Sequence, residues 1–573
     1  MTEVRKPSKV EVIKQESRYL HGTIAEQLAQ DASLFGEADY QLLKFHGTYQ
    51  QYDRDTATAR KQKGLDKEYR FMVRLKIPGG RLTADQYLAV DDLAGLYANG
   101  TLRITTRQDF QLHGVIKKHL KATIAAINAT LLTTLGACGD VVRNITTSPA
   151  PIRDPVHQRL EEDARRLTKA LLPRTRAYHE IWLNGERVKL DRDEKEEAEP
   201  IYGKVYLPRK FKIGLTVPDD NSIDVLTHDV AIIALFDGDE LEGYNFALGG
   251  GMGMTHNKPN TFPRLATPIA FAEPDDLVPV TEAIVKLQRD YGDRSDRKRA
   301  RLKYVVEENG AAWTKATLER YFGGPLAPPR PMPPLRVPDH RGWHPQGDGK
   351  WYLGVPVSSG RIVDRKGERL RTALREVIGR HRLDPVLTPE QDIILSNVAQ
   401  EHQAEVEAAL KGHGVLLAED LSPVRLNALA CPALPTCGLA LTEAERVKLP
   451  LIAEIEEALR RYDLERERIS VRIVGCPNGC ARPYTGDIGI VGRMPGHYAL
   501  YVGGDFEGTR LSHRLLDKVA LKDLVATLEP LFALFACERL PGEAFGDLCH
   551  RLGPRLLRQV VDDARAGAWK EAV

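Results

Sequence analysis

The chain has 573 residues, 42% of them hydrophobic and 28% charged, and a net charge of +2. This is the balance of a globular protein long enough for several domains, with no global attraction to nucleic acid or membrane. No apolar run is long enough for a transmembrane helix and the first residues lack a leader's apolar stretch, so a cytoplasmic location with reduced cysteines is expected.

Residues 1–65 read as an N-terminal arm. It is polar with alternating charge before Tyr19, suited to docking a partner or to remaining disordered. Residues 66–150 read as a first unit of mixed helices and strands. Within it Arg103-Ile-Thr-Thr-Arg107 is strand-like, which would put Arg103 and Arg107 on one face. In the next unit, 151–324, Pro208-Arg-Lys-Phe-Lys212 reads as a basic strand. Alternation about Phe211 turns Lys210 and Lys212 to the same side. Two glycine groups, Gly249-Gly-Gly251 and Gly503-Gly504, each follow an apolar run and suit a turn or close approach to a flat ligand. The tract Arg294-Ser-Asp-Arg-Lys-Arg-Ala-Arg-Leu-Lys303 reads as a solvated helix face or a reserve of cations.

Residues 325–338 contain seven prolines and form a semi-rigid linker or an extended strap. They open the segment 325–420, which weakly repeats 66–150. Arg107-Gln-Asp-Phe-Gln-Leu-His-Gly-Val115 lies against Glu390-Gln-Asp-Ile-Ile-Leu-Ser-Asn-Val398, and Gly80-Arg81 lies against Gly360-Arg361. The copies differ in charge: Arg103 and Arg107 face Val386 and Glu390. Helical and strand-like segments are mixed rather than alternating, so the fold class is α+β.

Residues 421–573 hold Cys431-Pro-Ala-Leu-Pro-Thr-Cys437 and Cys476-Pro-Asn-Gly-Cys480. Thr442 and Glu445 have capping-box spacing at the start of a helix bearing Ile452, Ile455, Leu459 and Tyr462, with Pro450 expected to break or kink it. Ile469–Gly475 alternates like a strand and would deliver Cys476 at its end. The first cysteine pair is wider than a usual zinc pair, which favours a [4Fe–4S] cluster; zinc and plain buried thiols remain open. Cys138, Cys537 and Cys549 stand alone and read as small core residues.

These residues resemble the siroheme- and [4Fe–4S]-containing sulfite/nitrite reductases. The family signature, C-x5-C followed by G-C-x-N-x-C, is matched by Cys431 to Cys437 and by Gly475-Cys-Pro-Asn-Gly-Cys480. Phe45-His-Gly-Thr-Tyr-Gln-Gln51, Pro78-Gly-Gly80, Arg103 to Gly114, Tyr206-Leu-Pro-Arg-Lys-Phe-Lys212 and Asp290-Tyr-Gly-Asp-Arg294 resemble the sulfite reductase branch. His21-Gly-Thr-Ile-Ala-Glu26 and Arg176-Ala-Tyr-His-Glu-Ile-Trp182 resemble the hemoprotein (beta) subunits of NADPH-dependent members. Ala481-Arg-Pro-Tyr484 resembles ferredoxin-dependent members.

The resemblance implies an internally duplicated fold: ferredoxin-like half-domains paired around a pseudo-twofold, plus two α+β domains for siroheme and cluster. It implies reduction of sulfite to sulfide, with nitrite as the alternative substrate. Cys431, Cys437, Cys476 and Cys480 would hold the cluster, and Cys480 also the siroheme iron. Arg74, Arg143, Lys210 and Lys212 would hold sulfite. Arg103, Arg107, Arg294, Arg297 and Lys303 would face siroheme carboxylates, with His113 a weaker candidate. The chain has no G-x-G-x-x-G after a strand. Electrons would therefore come from a flavoprotein (alpha) subunit linked to NADPH, or from ferredoxin. The reading from another class is a zinc or iron–sulfur scaffold whose basic tract binds RNA.

Overall fold

Two runs of sequence take up the same order of strand, helix, strand, strand, helix. The first comprises Tyr69–Arg74, Ala84–Tyr97, Leu102–Ile104, Phe110–Val115 and Leu120–Ala129. The second comprises Lys350–Val355, Leu370–His381, Asp384–Leu387, Ile393–Ala399 and Gln403–Gly412. An edge strand, Thr48–Tyr52 or Gly342–Pro345, completes each sheet in the same relative position. In this computed structural model the described residues are 6–175, 177 and 199–567, with the short strands Trp182–Leu183 and Glu186–Arg187. Most of the Arg176–Trp182 motif lies outside them.

The two half-domains exchange matched segments. Arg361–Ile362 pairs antiparallel with Leu102 and Arg103 of the first copy, and Arg81 of the first copy bridges to Val386 of the second. A pseudo-twofold demands this reciprocity. Phe71, Leu112, Leu353 and Leu395, from both sheets, share one apolar core.

A second duplication carries the cysteines and most of the cations. Ile213–Thr216 runs parallel to Val230–Asp237, then Glu240–Leu248 and Thr267–Ala272 follow antiparallel, and the helices Leu277–Tyr291 and Leu302–Phe322 close the unit. Val471–Val474, Ile488–Met494, His497–Val502, His513–Ala520, Leu524–Glu538 and Phe545–Arg565 repeat the plan. The second helix of each unit contains a glycine at positive φ, Gly310 at 80° and Gly553 at 75°, a region open to glycine at low cost. A further parallel segment flanks each unit: Ala428–Ala430 pairs with Val471, Arg472 and Ile473, and Val142 and Thr146 bridge in parallel to Phe211 and Gly214.

The structure changes several expectations. The N-terminal segment is not a free arm, because Lys9–Glu16 is a helix whose Lys14 is fully buried. Lys14 donates to the Leu207 carbonyl at 2.7 Å and pairs with Glu11 at 2.5 Å. The proline-rich segment is a strap packed on the fold. The Phe271 N–H donates to the Ala327 carbonyl, Arg330 stacks 3.8 Å above the Phe271 ring, and Arg336 donates to the Pro218 carbonyl. Thr442 and Glu445 form no capping box. The helix begins at Glu445 with Ala444 before it, and Glu445 is drawn away to Arg361 and Arg103. That helix, Glu445–Arg460, runs through Pro450. Among the described residues no helix is long and apolar enough to cross a membrane.

Candidate active site

The parallel strands Ala428–Ala430 and Val471–Val474 end side by side, which sets Cys431 and Cys476 at one sheet edge. The Cys431 N–H extends the ladder to the Ile473 carbonyl. Gly475 is required here: a Cβ would lie 2.6 Å from both the Ala433 side chain and the Thr442 carbonyl. Its N–H donates to the Cys431 sulfur at 3.3 Å, and the Asn478 amide donates to the Cys476 sulfur at 3.4 Å. A turn closed from Cys437 to the Ala433 carbonyl returns the chain, and Arg54 holds the Cys437 and Ala440 carbonyls.

Burial pushes the Cys476 thiol up to about 12 and Cys431 well above its usual range, and the neighbouring Cys480 adds to both. A metal centre that neutralises thiolates relieves this cost. Its size follows from the spacing. Among the described residues no three of these sulfurs lie within 4.8 Å of one another. Thiolates on one zinc ion, with bonds of about 2.3 Å, would sit roughly 3.8 Å apart. The sulfurs are not gathered as one zinc ion would hold them, and four thiolates in two irregularly spaced pairs suit a cluster.

The first half-domain reaches this centre with its turn at 105–109. The Thr106 hydroxyl donates to the Cys480 carbonyl at 3.1 Å. Arg103 and Arg107 do not share a strand face. The strand ends at Ile104, and a turn follows in which the Gln108 N–H donates to the Thr105 carbonyl. Arg103 therefore faces the cysteine side, donating to the Ala430 carbonyl at 2.9 Å beside Glu445. Arg107 faces the cations, held by the Asn144 and Ile213 carbonyls.

A cleft opens between these parts, lined by Thr106, Arg107, Lys210, Lys212, Arg301, Cys480 and Arg482 among others. Phe211 is buried and bridges Val142 of a neighbouring segment, leaving Lys210 and Lys212 to flank it, half-buried, as the alternation predicts. Burial, then Arg209, brings Lys210 down to about 7, against the pull of Cys480. Burial, then Arg107, Lys210 and Arg301, holds Lys212 well below the lysine range. Arg143 is pinned by the Gly139 and Ala137 carbonyls. Arg74 lies 3.7 Å from Asp109, and its buried Nε has no hydrogen-bond partner. Asp229 takes a two-pronged pair from Arg301 at 3.0 and 2.6 Å and accepts from the Lys212 N–H. Cations outnumber anions here, and an orphaned guanidinium N–H completes a site that fits a polyanionic cofactor and a small oxyanion.

Arg294, Arg297 and Lys303 are not brought to the cavity. Arg294 binds Glu11 and the Tyr206 and Arg289 carbonyls, and Arg297 forks onto Asp140. Lys303 donates to the Gly251, Gly253 and Phe262 carbonyls, so its charge serves the backbone. The residues the sequence reading passed over are Arg209, Arg301 and Arg482. Each lies inside a motif already singled out, but only the folded turns rank one arginine above its neighbours. His113 is buried beside Gln111 and Arg361, and burial first, then Arg361, holds it well below the histidine range, hence neutral. Cys138 and Cys549 are buried, whereas Cys537 is exposed. The glycines give close approach to protein, not to an open face. A Cβ on Gly250 would meet the Leu226 carbonyl at 2.2 Å, and one on Gly504 the Gly486 carbonyl at 2.4 Å.

Fold and site together define a redox protein that brings an anion against an iron–sulfur centre. Residues 162–326 and 423–568 match the nitrite and sulphite reductase 4Fe-4S domain, and residues 62–130 and 344–413 match the nitrite/sulfite reductase ferredoxin-like half domain. The chain belongs to the nitrite and sulfite reductase family, and its cofactors are siroheme and a [4Fe–4S] cluster. It is 47% identical to a "Sulfite reductase [NADPH] hemoprotein beta-component" of Myxococcus xanthus over 548 residues, 95% of this chain and 96% of the relative. It is 45% identical to a "Sulfite reductase [ferredoxin]" of Synechococcus elongatus, covering 99% of this chain and 93% of the relative. The solved NirA protein of Mycobacterium tuberculosis shares the fold, with a TM-score of 0.78 at 24% identity over 96% of this chain and 98% of that one.

Proposed function

We propose that this chain is the hemoprotein component of an assimilatory sulfite reductase, reducing sulfite to sulfide with six electrons. The observation that carries this is the convergence of Lys210, Lys212 and Arg107 on a cavity that also exposes Cys480. In this reading Cys431, Cys437, Cys476 and Cys480 hold the cluster, and Cys480 also faces the siroheme iron. Arg107 faces the cofactor's carboxylates, while Arg301 and Arg482, paired with Asp229 and Asp224, fix the wall around it. When bound, siroheme supplies the iron at which S–O bonds are broken, and the cluster supplies electrons one at a time.

The remaining work falls to side chains. Arg74 and Arg143 are fixed cations that hold the sulfite oxygens, at no cost in reorganisation because the backbone already positions Arg143. Burial and the neighbouring cations lower both Lys210 and Lys212 until an anion arrives. The anion raises both, so they take up protons as it binds and lie ready to donate them from Nζ as each oxygen leaves as water. The donor in this reading is an NADPH-linked flavoprotein. Ferredoxin is the second reading, favoured by the Synechococcus elongatus relative and by Ala481-Arg-Pro-Tyr484. The domains are 66–150, 151–324, 325–420 and 421–573, and the location is the cytoplasm.

The test is to purify the protein, record its visible spectrum and its iron and labile sulfide, and measure turnover of sulfite and nitrite with a dye reductant. Strong siroheme absorption and a higher kcat/KM for sulfite are expected. A colourless protein refutes the reading, and preference for nitrite moves it to the other branch.

A further inference from the structure

Far from the cysteines in sequence, the second half-domain gathers His381, His402 and Glu405, whose donor atoms all lie within 4.8 Å of one another. His381 is the last residue of the helix Leu370–His381; His402 directly precedes the helix Gln403–Gly412, which carries Glu405 in its first turn. Nε2 of His381 is 3.8 Å and Nδ1 of His402 is 3.7 Å from the same Glu405 oxygen. The imidazoles meet with centroids 4.8 Å apart.

Two features separate this group from an ordinary surface pair. The His381 side chain is 6% exposed, yet its Nε2 has no hydrogen-bond partner. A buried imidazole nitrogen facing two further donors is costly unless something binds it. The duplication supplies the comparison. In the first half-domain Tyr97 and His119 hold the matching places, with ring centroids 5.3 Å apart, and Ala122 stands where Glu405 is. The ring pair is common to both copies. The second nitrogen ligand and the carboxylate belong to the second copy alone.

We propose that His381, His402 and Glu405 form a binding site for a divalent transition metal of the zinc class. Two imidazoles and a carboxylate are a usual donor set for zinc, with bonds of about 2.0–2.2 Å and donors roughly 3.4 Å apart. The two spacings to Glu405 exceed this by a few tenths of an ångström and the two nitrogens lie within 4.8 Å, within reach of side-chain rotations. His402 and Glu405 are both 47% exposed, which leaves a fourth position to water. Arg380 donates to the other Glu405 oxygen at 3.0 Å and orients the carboxylate. The metal would tie the end of one helix to the start of the next across the intervening strands.

The test uses the cofactor-loaded enzyme and zinc chloride alone, followed by equilibrium dialysis at micromolar free zinc, with iron measured on the same samples to show that the cluster stays intact. The wild type should retain about one zinc per chain. His402→Ala and Glu405→Gln alter exposed groups that the fold does not need, and each should weaken zinc binding at least tenfold while leaving dye-driven turnover unchanged. His513→Ala removes the other close histidine pair, His513 with His550, and should change nothing. The proposal is overturned if the wild type retains no zinc, if both triad variants bind like the wild type, or if only His513→Ala loses it.

Discussion

Lys212 and Ser470 occupy matched positions in the duplicated units, and the difference between them is where the chemistry lies. Each donates its backbone N–H at 2.9 Å to an aspartate that opens the next strand, Asp229 or Asp487. The aspartates then part company: Asp229 pairs with Arg301, whereas Asp487 accepts from the Ser470 hydroxyl and the Gly546 N–H. One copy thus presents a lysine and an Arg–Asp pair where the other has a serine and a neutral hydrogen-bonded arrangement. Lys210→Ala and Lys212→Ala should keep both cofactors and lower sulfite turnover by about 10²–10³-fold, the usual cost of a lost proton donor or fixed cation. Since Lys210 sits near 7 in the free protein, sulfite affinity should weaken on an alkaline limb at or above about 7. Lys210→Arg should shift that limb upward. Unchanged sulfite kinetics in both alanine variants would return the pair to a structural role. On the other side of the cavity, Cys431→Ser or Cys437→Ser should remove iron and labile sulfide together, with siroheme occupancy falling as well. A full complement of iron and sulfide in either variant would strike that cysteine from the ligand set. The cysteines, Lys210 and Lys212 were legible because their spacing is local. Arg301 was not, since nothing in a run of basic residues says which one will reach the cavity, and neither was Arg482, a lone arginine whose direction is set only by the fold.

The helix Lys9–Glu16 shows how an element that reads as a polar tail can be part of the core. Its Lys14 and Glu11 join Asp140, Arg294 and Arg297 in a buried ion network, with Arg297 to Asp140 at 2.7 Å and Lys14 to Asp140 at 3.5 Å. Asp140 adjoins Gly139, whose carbonyl pins Arg143, so the same network supports the anion site. Burial alone would raise Asp140, but Arg297 and Lys14 outweigh it and hold the carboxyl well below its usual range. A carboxylate depressed in the folded state adds stability above its unfolded pKa of about 3.9, and this is lost as pH falls below that value. Asp140→Asn should cost roughly 3–5 kcal/mol near neutrality, as when one partner of a buried pair is removed. It should also flatten the acid limb of stability. Denaturant midpoints at pH 7 and at about pH 2, below the unfolded pKa, check both, and an unchanged midpoint at pH 7 would show that the network contributes nothing. Charge alternation in the sequence could not reveal this helix, since its partners lie more than a hundred residues away. The same limit explains Glu445. Its spacing from Thr442 suits a cap, but Arg361 and Arg103, distant in sequence, claim its carboxylate. Pro450 removes one backbone hydrogen bond, yet the buried face of Leu451, Ile452, Ile455 and Leu459 carries the helix through.

At the scale of the molecule, the half-domain repeat was visible through one matched run, Arg107–Val115 against Glu390–Val398, because paired strands keep their alternation. The second duplication left only a short trace, the glycine groups Gly249-Gly-Gly251 and Gly503-Gly504, which follow the matched strands Glu240–Leu248 and His497–Val502. Its copies agree in strand order and in the kinked helices Leu302–Phe322 and Phe545–Arg565, and sequence similarity fades faster than topology. Cys437 is only half-buried, Leu439 beside it is 67% exposed, and Arg54 reaches across from the first half of the chain to hold this loop. If a protein donor docks where the cluster cysteines approach solvent, Leu439 is the exposed apolar side chain that it would meet. The chain has no nucleotide-binding fingerprint after a strand, so the purified protein should not couple NADPH oxidation to sulfide formation, while a dye should drive it. Adding an NADPH-linked flavoprotein should restore NADPH-dependent turnover, and reduced ferredoxin should do so less well. Leu439→Glu separates docking from chemistry: it should slow protein-driven turnover at least tenfold and leave dye-driven turnover intact. Equal loss with dye and protein donors would place Leu439 in the cluster's support rather than on a docking surface. NADPH oxidation by the chain alone would refute the need for a second component.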